Sequence, residues 1–158
     1  IYYNHKNTGR PIGENDYGKF TSGYLDVTNA PLYPFGFGLT YTTFEVSDIR
    51  LNSSELTANG KIEATVSVSN TGKREATTIV QLYTHDLAGS ITRPVQELKG
   101  FQHCTLAPGE SKEVTFTVTP DMLKFYNAEL KYVNEPGDFD LMIGLNCREV
   151  KHAGFTLK

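Results

Sequence analysis

Residues 61 to 83 read Lys-Ile-Glu-Ala-Thr-Val-Ser-Val-Ser-Asn-Thr-Gly-Lys-Arg-Glu-Ala-Thr-Thr-Ile-Val-Gln-Leu-Tyr, and the order of apolar and polar side chains in them decides the fold class. In the first part Ile62, Ala64, Val66 and Val68 alternate with Glu63, Thr65, Ser67 and Ser69. A period of two puts the first set on one face of a strand and the second on the other, one buried and one wet. Asn70-Thr71-Gly72 then supplies residues that tolerate the positive φ of a tight turn. Ala76 to Tyr83 is β-branched and apolar on both faces, at Ile79, Val80, Leu82 and Tyr83, which predicts a central strand.

The same pattern extends in both directions. Upstream, Phe44 and Val46 hold one phase and Ile49 and Leu51 the other, so the first strand slips by one residue near Ser47-Asp48, as at a β-bulge. Downstream, Val95, Leu98 and Phe101 mark a less regular strand beginning at Arg93-Pro94, and Pro94 favours a sheet edge. Ala107-Pro108-Gly109-Glu110 is a turn, after which Val114, Phe116 and Val118 alternate with Thr115, Thr117 and Thr119. Thr119-Pro120-Asp121 opens a short helical turn carrying Met122. Glu135-Pro136-Gly137-Asp138 turns the chain again, Phe139, Leu141 and Ile143 form the next inward row, and Phe155 and Leu157 belong to a final strand. About seven or eight short antiparallel strands, with no long amphipathic helix, predict an all-β sandwich of two sheets.

Residues 1 to 42 are different. They hold six of the nine tyrosines, six glycines and three prolines, with neither helical nor strand periodicity. Pro31 and Pro34 bar a helix or central strand, and Gly36 and Gly38 permit turns. So many aromatics argue against disorder, and so long a loop argues against a place inside one compact domain. The expectation is an ordered arm, residues 1 to 39, lying on the surface of its own domain or a neighbour's, ahead of a sandwich spanning 40 to 158.

A length of 158 residues, 39% apolar and 21% charged side chains and a net charge of -3 describe an ordinary globular protein. No basic excess suits a polyanion, and no apolar run reaches the roughly 20 residues of a membrane span, so neither nucleic acid nor membrane is an expected partner. The first residue is not Met, from which we expect the chain to be part of a longer one. Cys104 and Cys147 lack partners at metal-ligand spacing, so no metal site is predicted; two buried thiols are expected, with one disulfide as the alternative. Asp138 and Asp140, two apart on a strand, sit ~7 Å apart by strand rise. Paired carboxylates serve glycoside hydrolysis, but Phe139 and Leu141 point inward and leave both acids facing solvent, so they are not expected to be catalytic. His5, His85, His103 and His152 share no spacing and read as surface or locally bonded imidazoles.

Five stretches, in order, resemble the C-terminal region of family-3 glycoside hydrolases: Pro-Leu-Tyr-Pro-Phe-Gly-Phe-Gly-Leu-Thr-Tyr-Thr-Thr-Phe at 31 to 44, Val-Ser-Asn-Thr-Gly at 68 to 72 running on to Tyr83, Arg-Pro-Val-Gln-Glu-Leu-Lys-Gly-Phe at 93 to 101, Leu-Ala-Pro-Gly-Glu at 106 to 110 running on to Phe116, and Glu-Pro-Gly-Asp-Phe-Asp-Leu-Met-Ile-Gly at 135 to 144. The opening Tyr-Tyr-Asn-His-Lys-Asn-Thr-Gly-Arg-Pro is similar to the bacterial periplasmic β-glucosidase branch. The resemblance implies a fibronectin type III-like (immunoglobulin-like) sandwich after a barrel and an α/β-sandwich domain, whose Asp nucleophile and Glu acid/base lie outside this chain. It therefore implies a non-catalytic structural module with no cofactor, buttressing the catalytic domains of a periplasmic or secreted enzyme that hydrolyses terminal non-reducing β-D-glucosyl residues with retention. The arm would link it to the α/β domain, with Tyr2, Tyr3, Leu32, Tyr33, Phe35 and Phe37 buried between domains and Asn4 and Arg10 hydrogen-bonded there. In this chain alone, Leu32 to Leu39 is expected to stay packed on the sandwich. A carbohydrate-binding module or a free-standing adhesion module is the alternative; with no Trp, contact with sugar is expected to be weak at most.

Overall fold

The alternation at residues 62 to 70 becomes the spine of one sheet in the computed structural model, which describes residues 3–6, 23–24 and 26–158. Strand β4 (Ile62–Asn70) pairs along its length with β7 (Ser111–Val118) on one side. On the other side it takes β1 (Phe44–Val46) and then β2 (Arg50–Leu51). The second sheet has the order β3 (Glu55–Leu56), β11 (Val150–Leu157), β10 (Gly137–Gly144), β5 (Ala76–Asp86), β6 (Glu97–Leu106). A two-strand ribbon, β8 (Phe125–Tyr126) with β9 (Tyr132–Val133), stands outside both sheets. Counting β1 and β2 as one bulged strand, the two sheets hold three and five strands, a sandwich of eight among the described residues.

Inward rows from the two sheets meet in one core. Ile62, Ala64, Val66 and Val68 face Val80, Leu82, Leu141 and Ile143, all within 1% of complete burial, with Phe116, Phe139 and Phe155 filling between them. Each such valine, leucine or isoleucine contributes roughly 1.5 to 3 kcal/mol on burial.

The bulge lies where the phase slip places it. Val46 pairs with Val68 and Arg50 with Thr65, so four residue steps on one strand oppose three on the other. Ser47 bridges the misfit: its N–H donates to Ser67 O (2.9 Å), and its hydroxyl accepts from Ser67 N (2.9 Å) in place of a carbonyl. The slip keeps Phe44, Val46, Ile49 and Leu51 all packed on the core.

The turn after β4 works differently from its expected backbone. Neither Asn70 nor Gly72 is left-handed; among the described residues positive φ occurs at Gly36, Gly109 and Leu130. Gly72 is instead a matter of space, since a Cβ there would stand 2.1 Å from Thr42 Oγ1 and 2.9 Å from Thr43 N. Asn70 is buried and uses its whole amide: Nδ2 donates to Arg74 O (2.8 Å) and Leu106 O (2.9 Å), while Oδ1 accepts from Thr42 Oγ1 (2.6 Å) and Gly72 N (3.1 Å). One side chain thus ties the chain just before β1 to the turn before β5 and to the end of β6.

Other expectations need correction. The strand expected from Arg93-Pro94 begins at Glu97, because residues 94 and 95 are engaged by the arm, through a Lys6–Pro94 bridge and a bond from Val95 N to His5 O (2.9 Å). Strand β6 is nonetheless a sheet edge. Ile79 is exposed, so β5 is not covered on both faces throughout. Strand β3 runs parallel to β11, an exception to the antiparallel pattern. Leu32 and Leu39 are 85% and 91% exposed, so the Leu32 to Leu39 segment does not pack down as a unit; the chain there touches the sheet through Phe35 and Gly36.

Candidate functional site

Strand β5 alternates across the sheet, so Val80 and Leu82 enter the core while Ile79, Gln81 and Tyr83 point out of the sandwich. Gln81 and Tyr83 are nevertheless buried, as is Met142 opposite Tyr83. What covers them is the arm. Tyr3 stacks on Phe35 (centroids 4.3 Å apart, planes 21° apart), and Tyr3 meets Tyr83 edge-on at 5.8 Å. Gln81 Nε2 donates to Leu145 O (2.8 Å), Tyr83 O–H donates to Gln81 Oε1, and Cys147 N donates to Phe35 O (2.9 Å). Gln96 closes the border, its Nε2 donating to Cys147 O (3.1 Å) beside Met142 Sδ (3.6 Å). Burial pushes the Tyr83 phenol far above its usual range, with Cys147 and Tyr3 adding to the shift, so it remains a neutral donor.

Gly36 makes this seat possible. Its φ is +81°, and a Cβ would fall 2.3 Å from Gln81 Oε1. The arm's backbone therefore approaches the sheet as only glycine permits.

The end of the sandwich near β6 holds a buried ionic group. Arg93 Nη2 donates to Glu97 Oε2 (2.8 Å), its Nε stands 3.5 Å from Asp86 Oδ2, and its guanidinium lies 4.1 Å from the centre of the Phe125 ring. Burial raises the Asp86 carboxyl above its ordinary value, opposed by the Ala88 N–H and by Arg93. Burial likewise lowers Lys99, partly offset by Glu97. The group is enclosed but not fully satisfied, since Asp86 Oδ2 and Arg93 Nε are buried without a hydrogen-bond partner and meet only as charges.

The acids weighed for catalysis are engaged by neighbours on β11. Asp138 Oδ1 accepts from Thr156 Oγ1 (2.6 Å), and Asp140 Oδ2 lies 2.8 Å from His152 Nδ1. Asp138 is exposed and Asp140 half-buried on the outer face. Cys104 and Cys147 are free thiols, the first buried and the second half-buried, both with pKa raised by burial.

Of the residues assigned to the arm's contacts, Tyr3 and Phe35 come together on the sheet. Tyr33 and Phe37 pack on each other (centroids 5.1 Å) while exposed, Leu32 is exposed, and so is Asn4. Tyr2 and Arg10 lie outside the described residues. Sequence reasoning missed Gln81, Tyr83 and Gln96 as the arm's seat; the one available signal was Gln81, a polar residue within the apolar run Ile79 to Tyr83.

Residues 78–147 match the fibronectin type III-like domain family. The chain is 50% identical over 157 residues to the periplasmic β-glucosidase of Salmonella typhimurium, covering 99% of this chain and 20% of that protein. It is 42% identical to a β-xylosidase of Formosa agariphila, over 81% of this chain and 18% of that one. The crystal structure of the Listeria innocua β-glucosidase in complex with glucose superposes with a TM-score of 0.93 at 37% identity, covering 99% of this chain and 22% of that one. The chain thus spans about a fifth of the length of the relatives it matches. Sandwich, arm and matches agree: the chain belongs to the fibronectin type III-like domains of family-3 glycoside hydrolases.

Proposed function

We propose that the chain is a non-catalytic module of a retaining β-glucosidase, buttressing catalytic domains that lie elsewhere in the same polypeptide and act on terminal β-D-glucosyl residues. The observation that carries this reading is coverage: 99% of the chain aligns with only 20% of a periplasmic β-glucosidase. That relative's being a periplasmic enzyme supports a periplasmic setting.

Within this reading the arm is the connection. Leu32, Tyr33, Phe35 and Phe37 lie in a stretch, residues 27 to 44, without a charged side chain, and expose apolar surface that water does not favour. They face the neighbouring α/β domain, together with Asn4. Tyr3 serves both sides, seating the arm on the sheet.

Mass measurement of the natural gene product tests the reading, with a product about five times this length expected from the 20% coverage. The whole product should hydrolyse an aryl β-glucoside and this chain should not. Hydrolysis by the purified chain, abolished by Asp138→Asn or Asp140→Asn, would overturn it.

A further inference from the structure

The described residues of the arm cover only the middle of the five-stranded sheet's outer face. On one flank Asp138, Asp140, His152 and Thr156 satisfy one another. On the other, Ile79 lies across from His103 and Gln81 across from Phe101, so Ile79, Phe101 and His103 project from the same face as the covered Gln81. Ile79 and Phe101 are exposed there, with Phe101 meeting His103 edge-on at 6.2 Å. Because Gly36 rests on Gln81, which pairs with Phe101, the arm segment carrying the exposed Phe37 passes beside this flank.

We infer that the flank formed by Ile79, Phe101 and His103, joined to the arm at Phe37, is the seat of a neighbouring domain of the same polypeptide. The inference rests on the proposed function, which supplies the occupant: relatives carry about four-fifths of their length outside the matched 20%. Two observations favour that occupant. The bare flank is continuous with the arm, so one partner surface covers both. The strip from 27 to 44 is free of charge, which suits a neutral apolar counterpart and gives an ionic partner nothing to pair with.

The test is side-chain oxidation by hydroxyl radicals in the full-length gene product, with Tyr126, on the separate β8–β9 ribbon, as internal reference. Phe101 is 59% and Tyr126 64% exposed here, whereas core Phe139 is 3% exposed. Phe101 and Tyr33 are expected to label about tenfold more slowly than Tyr126, as burial from a surface to a core level requires. Phe101→Asp, at a site exposed in this chain, should leave the isolated chain's melting unchanged while splitting the full-length melt into two transitions. Protection of Tyr33 without protection of Phe101 would overturn this seat and leave the proposed function standing. Protection that fades on dilution would assign the flank to a second copy instead, and labelling of both residues at the Tyr126 rate would overturn both readings.

Discussion

Asn70 concentrates more of the structure's connectivity than any apolar residue near it. Its amide serves Arg74 O, Leu106 O, Thr42 Oγ1 and Gly72 N at once. Asn70→Ala should therefore lower unfolding stability by about 2 to 4 kcal/mol, since several buried groups lose their partner together. Urea titration would show a lower midpoint with unchanged slope. Asp86 gives a residue-level prediction with the opposite pH sense to a surface ion pair. Burial raises its folded value above the 3.8 of the free side chain, so between the unfolded and folded values the folded state binds more proton than the unfolded one. The stability it contributes is fully present below the unfolded value and is lost as pH rises through the folded one. Relative to Asp86→Asn, the natural chain should gain stability as pH falls from 7 toward 4, measured as the difference between their urea midpoints. Equal midpoint differences at both pH values would remove the desolvation account.

At the level of elements, the arm and β5 form one unit held by Gly36. Gly36→Ala strains a φ of +81° and places a methyl group against Gln81. It should release the Phe35–Cys147 backbone bond, raising hydrogen exchange at the Cys147 amide by about tenfold or more while the Val66 amide in β4 is unaffected. The strands themselves were legible because β4, β7 and β10 each repeat a period of two against a single core, and because the phase slip at Ser47 leaves a mark in the pattern of Phe44, Val46, Ile49 and Leu51. The arm's seat was not legible in the same way. A side chain covered by an aperiodic segment has no period of its own, so Tyr83 read as an ordinary sheet residue. The turn at Asn70 and Gly72 was found by residue type, yet its reason is close packing against Thr42 rather than backbone handedness, and that depends on a residue 28 positions earlier.

For the molecule as a whole, the exposed aromatics among the described residues divide between the arm with its flank and the β8–β9 ribbon, where Tyr126 and Tyr132 lean on each other at 40°. Rings tilted together do not offer one flat stacking surface. The isolated chain should accordingly show no saturable binding to cello-oligosaccharides in calorimetry. A dissociation constant tighter than about 0.1 mM, roughly 5.5 kcal/mol, would restore a sugar-binding role. The parallel pairing of β3 with β11 has a consequence of another kind. It joins Glu55 to Thr156 and Leu56 to Leu157, so about a hundred residues must be gathered before it can form, at an entropic cost that is repaid only late. The β10–β11 hairpin closes a far shorter loop. In a chevron experiment, truncating Leu56 to Ala should chiefly accelerate unfolding and barely slow folding, whereas truncating Leu141 in the hairpin should slow folding itself. On that outcome, the contact that ties the first part of the sandwich to its last strand is a latch, absent from the transition state and setting how long the native state persists.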